Sequence, residues 1–173
     1  MGTLVDRPYA AEGPPPFRAR SRRAGTGLVA TVYADTSVLV KLYDSREPRA
    51  ADVRQRLLHA RVASSVLVRA EILSAVARKL RAGELAAEET LALRRRIQRD
   101  YRRILKVRLT NAVLDETERL LFECSLRASD AIHLGSAALL SRRLGFPLPV
   151  LTADEPMWRA ASAAEMPAEY FGA

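Results

Sequence analysis

The chain contains a single cysteine, Cys124, and only two histidines, His59 and His133. One thiol excludes an internal disulfide framework and suits a reducing compartment. Two histidines, with no Cys-x-x-Cys and no His-Glu-x-x-His, argue against a zinc centre. Long apolar runs are also missing. Nothing approaches the roughly 20 residues that a membrane-spanning helix needs, and Arg7, Glu12 and Pro14 to Pro16 interrupt the N-terminus before a signal-peptide core can form. The expectation is a soluble, cytoplasmic protein with no membrane partner.

What remains is a chain of 173 residues, 49% hydrophobic and 28% charged, which suits one globular domain that can bury its own core. The formal net charge is +8. A basic surface attracts polyanions, nucleic acid above all. Residues 1–27 carry five arginines against Asp6 and Glu12, a net +3, together with four prolines and no helical or strand period. They read as a disordered N-terminal extension, and 28–173 as the folded domain.

A β-branched run over 28–34 predicts a first buried strand. A short apolar helix follows over Val38–Tyr43, and Pro48 opens a second that runs to about His59. Val62–Ser65 predicts a very short strand. Helices are expected over Val66–Ala82, stopped by Gly83, and over Ala86–Arg103. Leu105–Leu109 alternates like a strand. Two helices, Ala112–Cys124 and Ser129–Leu144, lead to the last clear strand, Val150–Thr152, and a final helix over Asp154–Ala164. Strands separated by helices predict an α/β domain, a mainly parallel central sheet flanked by helices. Cys124 reads as a buried structural thiol, and Leu93, Ile97 and Ile104 as an apolar face beneath the basic stretch Arg94-Arg95-Arg96. That stretch suits either a solvated helix face or an RNA path.

In parallel sheets, ligands bind beyond the carboxyl ends of the strands. Asp35 directly follows the first strand, and Asp154 follows the last. Both also suit N-caps. Glu71 lies on a helix stripe with Leu67, Val68 and Ala75, and Asp130 on one with His133, Leu134 and Ala137. Carboxylates on apolar faces are costly to bury without a partner. Convergent carboxylates repel one another, and an oxygen-preferring cation such as Mg²⁺ or Mn²⁺ removes that cost.

Four blocks then stand in order: Tyr33-Ala34-Asp35-Thr36-Ser37; Ser64-Ser65 through Arg69-Ala70-Glu71-Ile72; Arg127-Ala128-Ser129-Asp130-Ala131-Ile132-His133; and Leu151-Thr152-Ala153-Asp154. Together they resemble the motifs of PIN-domain ribonucleases of the VapC-like toxin type over residues 29–164. The resemblance implies a PIN-like three-layer fold. It also implies an endoribonuclease whose acids Asp35, Glu71, Asp130 and Asp154 bind Mg²⁺, or Mn²⁺ in its place, to promote attack of water on an RNA phosphodiester. Asp35, Asp130 and Asp154 match the family's main ligand positions, and Glu71 either a second-metal ligand or a water-orienting group. A cognate antitoxin and a homodimer are the implied partners. The helices around Val38, Leu39 and Leu42 and around Leu67, Ile72, Leu73 and Val76 offer apolar surface for them. Thr36 and Thr152 are candidates to orient the carboxylates, and Arg127 to pair with an acid or hold an RNA phosphate. His133 reads as a packed helix residue and Trp158 as core. Two alternatives stand beside this reading. One is a haloacid-dehalogenase-like phosphatase, which Ser37 disfavours because that chemistry wants a second Asp there. The other is a non-catalytic PIN-like module, which the complete acid set disfavours.

Overall fold

Five parallel strands, in the spatial order β3-β2-β1-β4-β5, form the middle layer of the computed structural model, which describes residues 30–173. The expected extension 1–27 lies outside those residues. The strands are β1 Thr31–Ala34, β2 Arg61–Ser65, β3 Leu105–Val107, β4 Val150–Thr152 and β5 Ala168–Tyr170. The sheet is wholly parallel, where the sequence predicts one that is mainly so. Register is fixed by pairs such as Val32 with Val62, Ala34 with Leu151 and Ser65 with Val107.

The period of two along β1 divides the core. Val32 and Ala34 enter one apolar cluster with Leu39, Leu57, Ile72, Ile97 and Leu151. Tyr33 enters the other with Val113, Leu134, Leu148, Val150 and Met157. The first cluster is covered by α1 Thr36–Leu39, α2 Ala50–Leu58, α3 Val68–Arg81 and α4 Ala87–Tyr101. The second is covered by α5 Asn111–Glu123, α6 Ala128–Leu144 and α7 Glu155–Ala163. Helices on both faces of a parallel sheet give the expected three layers. Helix α5 packs closely on α6 at Gly135, where an added Cβ would lie 3.0 Å from Thr117 Oγ1 and 3.3 Å from the Val113 carbonyl.

Several boundaries differ from the sequence reading for local reasons. Pro48 does not open α2. The helix starts at Ala50, after Arg49 turns through a left-handed conformation with φ 59°, while Lys41 Nζ donates to the Pro48 carbonyl at 2.8 Å. Helix α1 is a single turn, continued by a 3-10 turn over Val40–Leu42. Gly83 and Gly145, with φ 73° and 74°, follow α3 and α6 in the left-handed conformation that glycine adopts without strain. Strand β5 is absent from the sequence reading. Its three residues are all half-buried and sit at a sheet edge. Arg56 holds it through Glu169 Oε2 at 2.7 Å, and Arg49 through the Tyr170 carbonyl at 2.7 Å.

Two expected core residues are only half-buried. Cys124 lies just beyond α5 against the second cluster, and Trp158 leans on the Tyr170 ring at 5.8 Å while its neighbour Met157 fills the core. Val38, Leu39, Leu42, Ile72 and Val76 are buried within the domain, and Ile72 and Val76 also line a cavity between α3 and α4. Leu93, Ile97 and Ile104 are buried as the helical spacing predicts. No helix among the described residues is long and apolar enough to cross a membrane.

Candidate active site

Strand order 3-2-1-4-5 has its switch point between β1 and β4, where successive connections leave in opposite directions and open a crevice at the carboxyl ends. Asp35 is the residue directly after β1, and Asp154 stands two residues after β4. Glu71 is in the first turn of α3 and Asp130 in the first turn of α6. The fold therefore directs all four sequence-selected acids to element starts.

Asp35 is 4% exposed. It caps α1, accepting from Val38 N at 3.0 Å. Ser37 Oγ donates to its two oxygens at 2.8 and 3.0 Å, and Thr152 Oγ1 reaches Oδ2 at 2.9 Å. Ser37 in turn accepts from Ala153 N at 2.7 Å. The Asp-Thr-Ser turn after β1 is thus stitched to the end of β4, which is how the two crevice-forming strands hold a common geometry. Burial pushes the Asp35 carboxyl above the ordinary carboxylate range, while the nearby His133 and these hydrogen bonds pull the other way.

Asp154 caps α7 through Oδ1, which accepts from Met157 N at 2.8 Å. Asp130 receives only a long bond from Ser129, at 3.3 Å to Oδ1. Its carboxyl is raised first by burial and then by the negative charge of Asp154. Arg127, the exposed residue preceding α6, is close enough for its charge to oppose that rise weakly. No hydrogen bond from the described residues reaches Asp130 Oδ2 or Asp154 Oδ2.

Glu71 turns elsewhere. Its Oε2 accepts from His133 Nε2 at 2.8 Å and from the Thr36 hydroxyl. Burial works to raise its carboxyl, but the bonds from His133 and Thr36 outweigh it and hold the group below its ordinary range. His133 is 2% exposed, and its Nδ1 lies 3.0 Å from the Tyr33 hydroxyl. Burial raises Tyr33 far above the phenol range, so its hydroxyl stays protonated beside Nδ1. The Glu71 carboxylate only accepts, so Nε2 carries a proton, and in the neutral imidazole Nδ1 then accepts from Tyr33. His133 is thus packed, as its helix position predicts, and it is also the contact that joins β1, α1, α3 and α6. Its spacing three residues after Asp130 was the available signal. Its partners, 100 and 62 residues away, were not legible.

Among the described residues, no three His, Cys, Asp or Glu side chains stand close enough to enclose a metal ion by themselves. The structure instead brings Asp130 to Asp154, and Glu71 to His133 and Thr36, with Asp35 fixed between β1 and β4. Mg²⁺ keeps several water ligands and is commonly held by one or two carboxylates. The Oδ2 atoms of Asp130 and Asp154, which no described residue hydrogen-bonds, fit such a partly hydrated, oxygen-ligated cation.

The PIN domain family model matches residues 32–162, which include all four acids. The chain belongs to the PIN-domain family. It is 38% identical over 120 residues to Ribonuclease VapC46 of Mycobacterium tuberculosis, covering 68% of this chain and 82% of that protein. Among solved structures, FitAcB from Neisseria gonorrhoeae is similar with a TM-score of 0.58 at 19% identity, over 79% of this chain and 95% of that one. A toxin–antitoxin complex from Klebsiella pneumoniae is similar with a TM-score of 0.53 at 18% identity, over 71% of this chain and 86% of that one. These structural likenesses concern the fold.

Proposed function

We propose that this PIN-domain chain is a Mg²⁺- or Mn²⁺-dependent endoribonuclease that acts as the toxin of a toxin–antitoxin pair. The observation that carries the reading is the placement of Asp35, Asp130 and Asp154 at the crevice-forming ends of β1, α6 and β4, within a chain 38% identical to a named ribonuclease. Asp130 and Asp154 would hold the cation, with Asp35 as a further ligand, direct or through water. A bound divalent ion supplies positive charge against the phosphate and makes a water molecule easier to deprotonate. The protein's own contributions follow from its hydrogen bonds. Ser37 and Thr152 lock the Asp35 carboxylate, so little reorganisation accompanies the reaction. Thr36 and His133 occupy Glu71 Oε2 and leave Oε1 to take a proton from the attacking water. The lowered Glu71 carboxyl keeps that oxygen ionised at neutral pH. Arg127, whose charge reaches Asp130, would meet an RNA phosphate.

For an antitoxin, the structure offers a cavity of about 360 Å³ between the Val40–Leu42 turn, α3 and α4. Val40, Ile72, Val76, Leu85 and Leu93 give it an apolar floor, and Asp44, Glu47 and Lys79 a charged rim. None of the four acids lines it, and Ile72, the residue after Glu71, is its nearest neighbour to them in the sequence. An antitoxin helix seated there would place a following basic residue near the carboxylates, where it would pair with them in the cation's place. A homodimer and a cytoplasmic setting belong to the same proposal. Incubating purified protein with single-stranded RNA, with Mn²⁺ or with EDTA, tests the nuclease. Coexpression with the protein encoded beside it tests the pairing, where a stable complex with suppressed cleavage is expected. A chain that ignores that neighbour and cleaves unchanged would refute the toxin assignment alone.

A further inference from the structure

Residues 94–108 hold eight cations, six of them in α4 or the turn after it, against the single carboxylate Asp100, a net +7 in a chain whose total is +8. The rest of the molecule is close to neutral, so the net positive charge is concentrated in this one segment. Asp100 does little to offset it at the surface, because it is only 2% exposed. Arg94, Arg95, Arg99 and Arg102 recur at i, i+1, i+5 and i+8, which is one side of α4 and its C-terminal turn. All four are exposed, whereas Leu93 and Ile97 bury the opposite side. No carboxylate among the described residues forms an ion pair with Arg94, Arg95 or Arg102. A solvated helix face normally mixes both signs of charge; this one has Glu88 at its N-terminal end and only cations from Arg94 onward.

The stripe is continued towards the candidate active site. Tyr101 closes α4, and its ring carries Arg69 at 5.8 Å and Lys106 at 5.0 Å. Lys106 is on the edge strand β3, and Arg69 is in the first turn of α3, two residues before Glu71. Arg108 follows β3 on the carboxyl rim, where Val66 N bonds the Val107 carbonyl at 3.0 Å. From β3 to β1, and so from Arg108 towards Asp35, is two strand spacings, roughly 10 Å. A continuous band of cations thus leaves the carboxylate crevice over the β3 edge and runs along the outer side of α4.

We propose that this band is the path of the RNA strand outside the cleavage site, its arginines neutralising successive backbone phosphates. The inference rests on the ribonuclease reading for the identity of the polyanion, and on the charge distribution and geometry for the surface itself. Phosphate contacts of this kind confer affinity and register without sequence preference.

The test is fluorescence anisotropy of the full chain with a fluorescein-labelled single-stranded RNA of about 20 nucleotides, long enough to cross several phosphate sites. EDTA is present throughout, so binding is read without cleavage. The triple variant Arg95→Gln, Arg99→Gln, Arg102→Gln should raise Kd at least tenfold. It should flatten the slope of log affinity against log salt by about 2, since a single strand contributes roughly 0.7 per phosphate contact. The control variant Arg61→Gln, Arg81→Gln, Arg143→Gln removes the same charge from exposed positions elsewhere and should leave Kd within about twofold. Equal losses in both variants would overturn the path, because net charge alone would then account for binding. Unchanged RNA affinity in the first variant would overturn it too. So would a variant that keeps RNA but loses polyglutamate, which would mark a protein-docking face. Band-dependent RNA binding by a wild-type protein that never cleaves with Mn²⁺ would support the surface and remove the nuclease reading, so the two failures are distinguishable.

Discussion

Replacing Asp35 by Asn should separate function from stability. The carboxylate is 4% exposed, and burial raises its pKa above that of the unfolded chain. A raised folded-state pKa means that the associated stability is present at low pH. It is lost as pH rises from the unfolded value through the folded one. Above the unfolded-state pKa the metal-free protein therefore carries the cost of burying this carboxyl, as a desolvated charge or as an uptake of a proton, and Asn removes that cost. Against the gain, the Asn amide nitrogen cannot accept, so one of the bonds from Val38, Ser37 and Thr152 is lost, at about 1–2 kcal/mol. The two effects oppose each other, and the metal-free melting temperature should stay within about 5 °C of wild type. Cation binding is another matter. A hundredfold excess over Kd adds about 2.7 kcal/mol to a protein that binds only when folded, which is roughly 5–10 °C for a domain of this size. Thermal denaturation at pH 7, with EDTA and with saturating MnCl₂, reads both. Wild type should rise on adding Mn²⁺, and Asp35→Asn should rise little or not at all. An equal rise in the variant would refute the assignment of Asp35 to the cation site. A metal-free loss well beyond 5 °C would refute the view that its charge is a net cost to the fold.

Three further outcomes follow from individual contacts. Tyr33→Phe removes the donor to His133 Nδ1 and should free the imidazole tautomer, seen as a change in the histidine ¹⁵N shifts of the metal-free protein, with a stability loss of about 1 kcal/mol; unchanged shifts would contradict the relay to Glu71. Gly135→Ala places a methyl against Thr117 and the α5 backbone and should cost about 1–3 kcal/mol in urea denaturation, whereas a neutral result would mean that α5 and α6 separate easily. Asp44 is held below the usual carboxylate range, first by Arg46 and also by Lys79, against the opposing effect of burial. Its stabilisation is present above the unfolded-state pKa and is lost as pH falls through the folded one. Asp44→Asn should therefore cost about 1 kcal/mol at pH 7 and nothing once the wild-type carboxyl is protonated, and a loss independent of pH would rule out the ion pair as the cause.

How much of this was legible in advance depended on whether the signal was local. The four-residue stretch Val32 to Asp35 and the run Val150 to Asp154 declare strand ends by hydrophobicity followed by a capping acid, and both elements stand where that pattern puts them. The capping reading and the functional reading are also compatible. Asp154 uses one oxygen to cap α7 and keeps the other free. Strand β5 escaped because its three half-buried residues, Ala168-Glu169-Tyr170, carry no apolar alternation, and the strand is held by distant Arg49 and Arg56. The apolar residues of α1 and α3 were assigned partly to partners because a one-dimensional pattern cannot say which face another helix will cover. In the fold, α4 covers part of that surface through Leu93 and Ile97, and Ile72, Val76 and Leu93 also line the cavity between α3 and α4. The ties of Glu71 to His133 and Thr36 likewise depend on α1, α3 and α6 meeting, which no spacing within one segment encodes.

Cleavage of a labelled single-stranded RNA by the purified wild-type chain, beside Asp130→Asn, tests the central claim most directly. Asp130 feels the charge of Asp154 and makes only one long hydrogen bond, so its loss should leave the fold intact. The account predicts endonucleolytic products with Mg²⁺ or Mn²⁺, none with EDTA, and a rate several orders of magnitude lower in the variant. Cleavage that persists in EDTA, or that proceeds at the wild-type rate in Asp130→Asn, would contradict it.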